Sequence, residues 1–112
     1  MSEDIMDRIK KDIGSNKILL YIKGTKDAPV CGFSAQVVSI FKQMGVPFET
    51  RDVLDGSGVR EALPRYSNWP TFPQVYVNGE LVGGCDIATE MYENGELQPL
   101  IEKALGTKLS NN

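Results

Sequence analysis

Histidine is absent, cysteine occurs only twice, and the 12 basic residues are outnumbered by 15 acidic ones, for a formal net charge of -3. Each shortage removes a class of function. Without histidine there is no His-containing zinc site and no Cys–His or Ser–His catalytic pair, and two cysteines cannot complete a four-ligand cage within one chain. An acidic balance argues against a nucleic-acid surface, which needs a basic patch. No apolar run approaches the ~20 residues that span a bilayer, so no membrane role is expected. The acidic start Met1-Ser2-Glu3-Asp4-Ile5-Met6-Asp7 lacks the apolar core of a secretory signal. The expectation is a soluble protein of a reducing compartment, cytoplasmic, or organellar if a targeting segment has been removed. A persistent structural disulfide is not expected there.

The 112 residues, 41% hydrophobic and 24% charged, suffice for one domain (1–112) that buries a core without a structural metal. Ile5, Met6, Ile9 and Ile13 share one face of an amphipathic helix over about residues 3 to 13, ending at Gly14. Residues 18 to 22 form a continuous apolar run, the mark of a strand buried on both faces and hence central. A polar loop from Gly24 to Val30, closed by Pro29, leads to Cys31. Phe33, Val37, Phe41 and Met44 then recur at helical spacing before the stop at Gly45, and residues 48 to 53 alternate as a second strand. Strand, helix and strand with this crossover make a right-handed parallel unit.

Asp55-Gly56-Ser57-Gly58 is a turn, and Val59, Ala62, Leu63 and Tyr66 mark a helix over about 58 to 66 with Arg60 on its outer side. The segment Asn68-Trp69-Pro70-Thr71-Phe72-Pro73 precedes a strand, where an X–Pro bond is a candidate for the cis isomer, although two trans prolines are the commoner arrangement. Val75-Tyr76-Val77 and Leu81-Val82 flank the hairpin signal Asn78-Gly79. Gly83-Gly84 permits close backbone approach, and Cys85-Asp86 opens a helix bearing Ile87, Ala88, Met91 and Tyr92 on one face. A last helix covers about 96 to 105, followed by Gly106 and a frayed tail over about 107 to 112. The order α, β, α, β, α, β, β, α, α gives an α/β fold with a central four-stranded mixed sheet flanked by helices.

The chemistry centres on Cys31-Gly32-Phe33-Ser34. A cysteine at a helix N-terminus faces unpaired N–H groups and the positive end of the helix dipole, both of which favour the thiolate. Lys23 adds charge to the same end. A buried cysteine acting as a small hydrophobe is the plain alternative. The dithiol redox motif is Cys-x-x-Cys, and Ser34 stands at its fourth position, so the site lacks a resolving thiol. It remains able to hold glutathione or a metal.

Lys23-Gly24, Cys31-Gly32-Phe33-Ser34, Trp69-Pro70-Thr71-Phe72-Pro73-Gln74 and Gly83-Gly84-Cys85-Asp86 occur in order and at family spacing. From Ile18 to Leu105 the chain resembles the glutaredoxins, specifically the monothiol Cys-Gly-Phe-Ser class. The resemblance implies a thioredoxin-like fold with a glutathione groove. Lys23 and Arg60 would hold the glycyl carboxylate, the Phe72 backbone would pair with the cysteinyl part, and Cys85-Asp86 would receive the γ-glutamyl end. The Phe72–Pro73 bond would be cis.

The resemblance also implies a [2Fe–2S] cluster bridging two subunits and passed to iron–sulfur acceptor proteins. Cys31 would be each subunit's metal ligand and glutathione would supply the rest, since such clusters usually take four thiolates. The chain would be a homodimer with cluster and a monomer without it. Two other functions stay open. In the first, Cys31 is the catalytic nucleophile of a glutathione-dependent oxidoreductase acting on protein–glutathione mixed disulfides, an activity the class shows weakly. In the second, the chain is an adaptor for BolA-like proteins. Cys85 is expected near the site without ligating metal, with a disulfide to Cys31 under oxidation left open.

Overall fold

The computed structural model describes residues 4–109. Nine elements follow one another: α1 (Ile5–Ser15), β1 (Ile18–Ile22), α2 (Gly32–Met44), β2 (Glu49–Asp52), α3 (Val59–Ser67), β3 (Gln74–Val77), β4 (Glu80–Gly83), α4 (Cys85–Glu93) and α5 (Leu97–Leu105). The order is the one expected, although the helix start at residue 3 and the last three tail residues lie outside the described part of the chain.

The sheet runs β2-β1-β3-β4. β1 pairs parallel with β2 and antiparallel with β3, which turns back on β4 through Asn78-Gly79. All five β1 residues are buried, because successive side chains point to opposite faces and both faces are covered. Leu20 and Ile22 point into a cluster with Val37 and Phe41 of α2, Ala88 of α4, and Leu97 and Ile101 of α5. Leu19 and Tyr21 point the other way, to Ile9 and Ile13 of α1 and to Val59 and Leu63 of α3. This is the thioredoxin-like arrangement. It makes β1 a rigid rail whose C-terminal end carries Lys23.

Two boundaries differ from the sequence expectation for physical reasons. α1 continues through Gly14 to Ser15, since the Asn16 amide donates to the Asp12 carbonyl at 2.8 Å and satisfies a terminal carbonyl that the glycine alone would leave to water. β2 is confined to Glu49–Asp52; Phe48 and Val53 flank it as buried core residues, and the Val53 N–H still reaches the Ile22 carbonyl at 2.8 Å. Gly45 ends α2 in the left-handed region at φ 70, where glycine meets no steric penalty. No described helix is long and apolar enough to cross a membrane.

Candidate functional site

Cys31 is the N-cap of α2, with extended backbone at φ -137 and ψ 136. The thiol therefore sits where the first helical N–H groups converge, and its pKa is held below the ordinary thiol value. The Ser34 backbone N–H is the largest cause. Partial burial opposes it, while the Phe33 N–H, the Ser34 hydroxyl and the Lys23 charge add to it. Ser34 is fully buried, and its Oγ accepts the Lys23 N–H at 3.1 Å. One hydroxyl thus ties the end of β1 to the first turn of α2 and also steadies the thiolate.

The loop between β1 and Cys31 is built from the inside. The Val30 N–H donates to the Lys23 carbonyl at 3.0 Å, closing the loop, and the Gly24 N–H donates to Asp52 Oδ1 at 2.9 Å. At Gly24 φ is 99 and a Cβ would lie 2.6 Å from the Ala28 carbonyl oxygen, so only glycine fits. The Lys26 ammonium lies 4.3 Å above the Phe48 ring and donates to the Phe48 carbonyl, fastening the loop's outer side to the sheet.

Opposite the thiol, the Phe72–Pro73 bond is cis, as the resemblance implied. The buried Gln74 organises the segment before it. Its Nε2 donates to the carbonyls of Trp69 at 2.9 Å and Thr71 at 3.3 Å, while its Oε1 accepts the Tyr76 hydroxyl at 2.9 Å. At Gly84, the N-cap of α4, a Cβ would come within 3.2 Å of the Pro73 carbonyl oxygen and 3.4 Å of Trp69 Nε1, so the proline loop and the start of α4 meet there. Gly83 has φ 146, and a Cβ on it would lie 2.7 Å from Ile87 Cδ1.

Between these walls lies a groove of about 530 Å³ that brings together all six residues singled out from sequence: Lys23, Cys31, Arg60, Phe72, Cys85 and Asp86. Phe33, Trp69 and Ile87 complete its apolar wall. Arg60 and Asp86 are exposed and Cys31 is half-buried. Cys85 is buried, with its Sγ 3.8 Å from Thr89 Oγ1, and that oxygen in turn accepts the Gln36 amide at 2.8 Å. Both cysteines are free thiols. Val30 is 68% and Phe33 60% exposed, an apolar rim on either side of the thiol.

Among the described residues no three His, Cys, Asp or Glu side chains gather to hold a metal. A metal ligated by Cys31 would draw its other ligands from outside the chain. Sequence reasoning had no role for Gln74 and saw Ser34 only as a missing thiol. A lone glutamine ahead of the apolar run Val75-Tyr76-Val77 was the available signal, since a buried amide must find partners.

Residues 18–82 match the family described as Glutaredoxin. The ycf64-like monothiol glutaredoxin of Synechocystis is 51% identical over 107 residues, which cover 96% of this chain and 100% of that protein. The chloroplastic monothiol glutaredoxin-S7 of rice is 50% identical over 105 residues, 94% of this chain but 62% of the longer rice protein. The solution structure of reduced poplar apo GrxS14 superposes with a TM-score of 0.80 at 48% identity, covering 92% of this chain and 94% of that one. With the fold, the single thiol at the head of α2 and these relatives in agreement, the chain belongs to the glutaredoxin family, on its monothiol side.

Proposed function

We propose that the groove binds glutathione and that Cys31, together with the glutathione thiol, ligates a [2Fe–2S] cluster shared between two copies of the chain and handed on to iron–sulfur acceptor proteins. The observation that carries this is one half-exposed thiol, its pKa lowered, in a groove with cationic side chains and a helix N-terminus, beside exposed apolar residues. One chain contributes one accessible thiolate. Two chains and two glutathiones make four, the usual number for such a cluster.

Lys23 and Arg60 bind the glycyl carboxylate as charge-assisted donors. Phe72 pairs its backbone with the cysteinyl residue. The N–H groups that open α4 take the γ-glutamyl carboxylate, and Asp86 takes its ammonium. Val30 and Phe33 give the second copy an apolar surface to cover. A BolA-like protein takes the second copy's place when the chain acts as an adaptor. The cluster is cargo, and a site held partly by exchangeable glutathione releases it more readily than a closed four-cysteine cage.

The lowered thiol pKa also favours a second reading, a glutathione-dependent oxidoreductase in which Cys31 attacks a mixed disulfide and free glutathione resolves the intermediate. Anaerobic reconstitution with iron, sulfide and glutathione separates the two. The carrier reading expects a coloured dimer, with colour and dimer both lost in Cys31→Ser or without glutathione and both kept in Cys85→Ser. A colourless monomer whose metal-free form rapidly reduces glutathionylated substrate replaces the carrier with the enzyme.

A further inference from the structure

Tyr21 of β1 points into the cluster it forms with α1 and α3 and is 1% exposed. Its hydroxyl is buried without a hydrogen-bond partner among the described residues. A buried hydroxyl left so costs roughly as much as a lost hydrogen bond, and native structures satisfy nearly all such groups with protein or ordered water.

Ile5, Ile9 and Val59 supply the apolar part of the wall around this hydroxyl, and charged and polar side chains the rest. Arg8 and Asp12 of α1, Arg51 of β2, and Asp55 and Ser57 of the following turn line a small cavity with Tyr21. Arg51 Nε lies 3.3 Å from Asp12 Oδ2, and Arg8 Nη2 lies 4.0 Å from Asp55 Oδ2. Asp55 Oδ1 accepts the Ser57 N–H at 2.9 Å. The cavity measures about 10 Å³, about the space one water needs and less than any organic molecule occupies. Two guanidiniums face two carboxylates, so no net charge draws an ion into it.

From this geometry we infer a site for a single structural water, held between the Tyr21 hydroxyl, the Asp12 carboxylate and the Arg51 guanidinium, that fastens α1 to β1. Tyr21 donates to the water, the water donates to Asp12, and the guanidinium donates to the water. Burial first, and the Asp12 charge second, push the Tyr21 hydroxyl well above its usual range, so it is a donor at neutral pH. The water adds β1 to the Arg51–Asp12 pair that already ties β2 to α1, in a cavity separate from the groove.

The test is a crystal structure of the wild-type chain and of Tyr21→Phe, grown with sodium bromide, together with hydrogen exchange on both. Wild type is expected to show ordered density within hydrogen-bond distance of Tyr21 Oη and Asp12, without an anomalous bromide peak, and Tyr21→Phe is expected to lose it. Losing one hydrogen bond at this junction should speed exchange of the Ile9 and Ile13 amides by about two- to tenfold. Absence of wild-type density, or an anomalous peak in its place, overturns the inference. So does a Tyr21→Phe variant whose α1 amides exchange no faster, because removing an orphan hydroxyl would then have cost nothing.

Discussion

Replacing Ser34 with alanine separates the two duties of one buried hydroxyl. Ser34 is fully buried and its Oγ accepts the Lys23 N–H at 3.1 Å. Alanine fits the space but leaves that N–H unpaired, which costs about 1–3 kcal/mol and lowers the folding constant by a factor of about 5 to 150. The same change removes the hydroxyl's contribution to the Cys31 thiolate. The larger contribution, from the Ser34 backbone N–H, survives because the peptide is unchanged. The thiol pKa of Ser34→Ala should therefore rise toward the ordinary value without reaching it.

The sign extends to stability. The folded thiol is a stronger acid than the unfolded one, so between the two pKa values the unfolded chain binds more protons and stability rises with pH. The Cys31 contribution is complete above the ordinary value of 9.0 and is lost as pH falls through the lowered folded value. Ser34→Ala narrows that window from below. In a Cys85→Ser background, the rate of alkylation by iodoacetamide against pH gives the thiol midpoint, and denaturant unfolding at several pH values gives the linkage. A midpoint in Ser34→Ala that equals or falls below the wild-type value refutes the assignment of the hydroxyl as a support of the thiolate.

Lys23→Ala and Arg60→Ala should each weaken glutathione binding about tenfold or more by calorimetry, the loss of one charge-assisted hydrogen bond, with the fold intact by circular dichroism; unchanged affinity in both would sink the carboxylate assignment. Gly83→Ala places a methyl 2.7 Å from Ile87 Cδ1 at φ 146, and should destabilise the chain by about 1–3 kcal/mol in urea unfolding. Gln74→Leu strips the Trp69 and Thr71 carbonyls and the Tyr76 hydroxyl of a shared partner. It should lower stability by about 1–3 kcal/mol or more and change the emission of Trp69, the single tryptophan; an unaltered spectrum would mean that Gln74 does not hold that wall.

What was legible in the sequence is what depends on near neighbours along the chain. The uninterrupted run at residues 18 to 22 can only be a strand covered on both faces, and Leu19 and Tyr21 do face one cluster while Leu20 and Ile22 face the other. Asn78-Gly79 specifies its turn through positive φ at both residues, 53 and 84. Gly45 ends α2 for the same local reason. The end of α1 was misjudged because a side chain beyond the helix decided it: the Asn16 amide returns to Asp12. The groove was legible only through spaced motifs, since Lys23, Arg60, Phe72 and Asp86 stand on separate elements and nothing local makes them neighbours.

Ser34 shows why such reading stops at chemistry that tertiary contact creates. From the motif alone, serine at the fourth position is the loss of a resolving thiol. In the fold the position is fully buried and directed at the N–H of Lys23, the residue that follows β1. Sulfur is larger than oxygen and a weaker acceptor, so a cysteine there would satisfy this N–H less well. The hydroxyl is thus compatible with a close junction between β1 and α2 and with a nearby thiolate that has no internal partner for disulfide formation at that position. The same serine that removes the resolving thiol therefore leaves any partner of the Cys31 thiol to come from beyond that position of the motif.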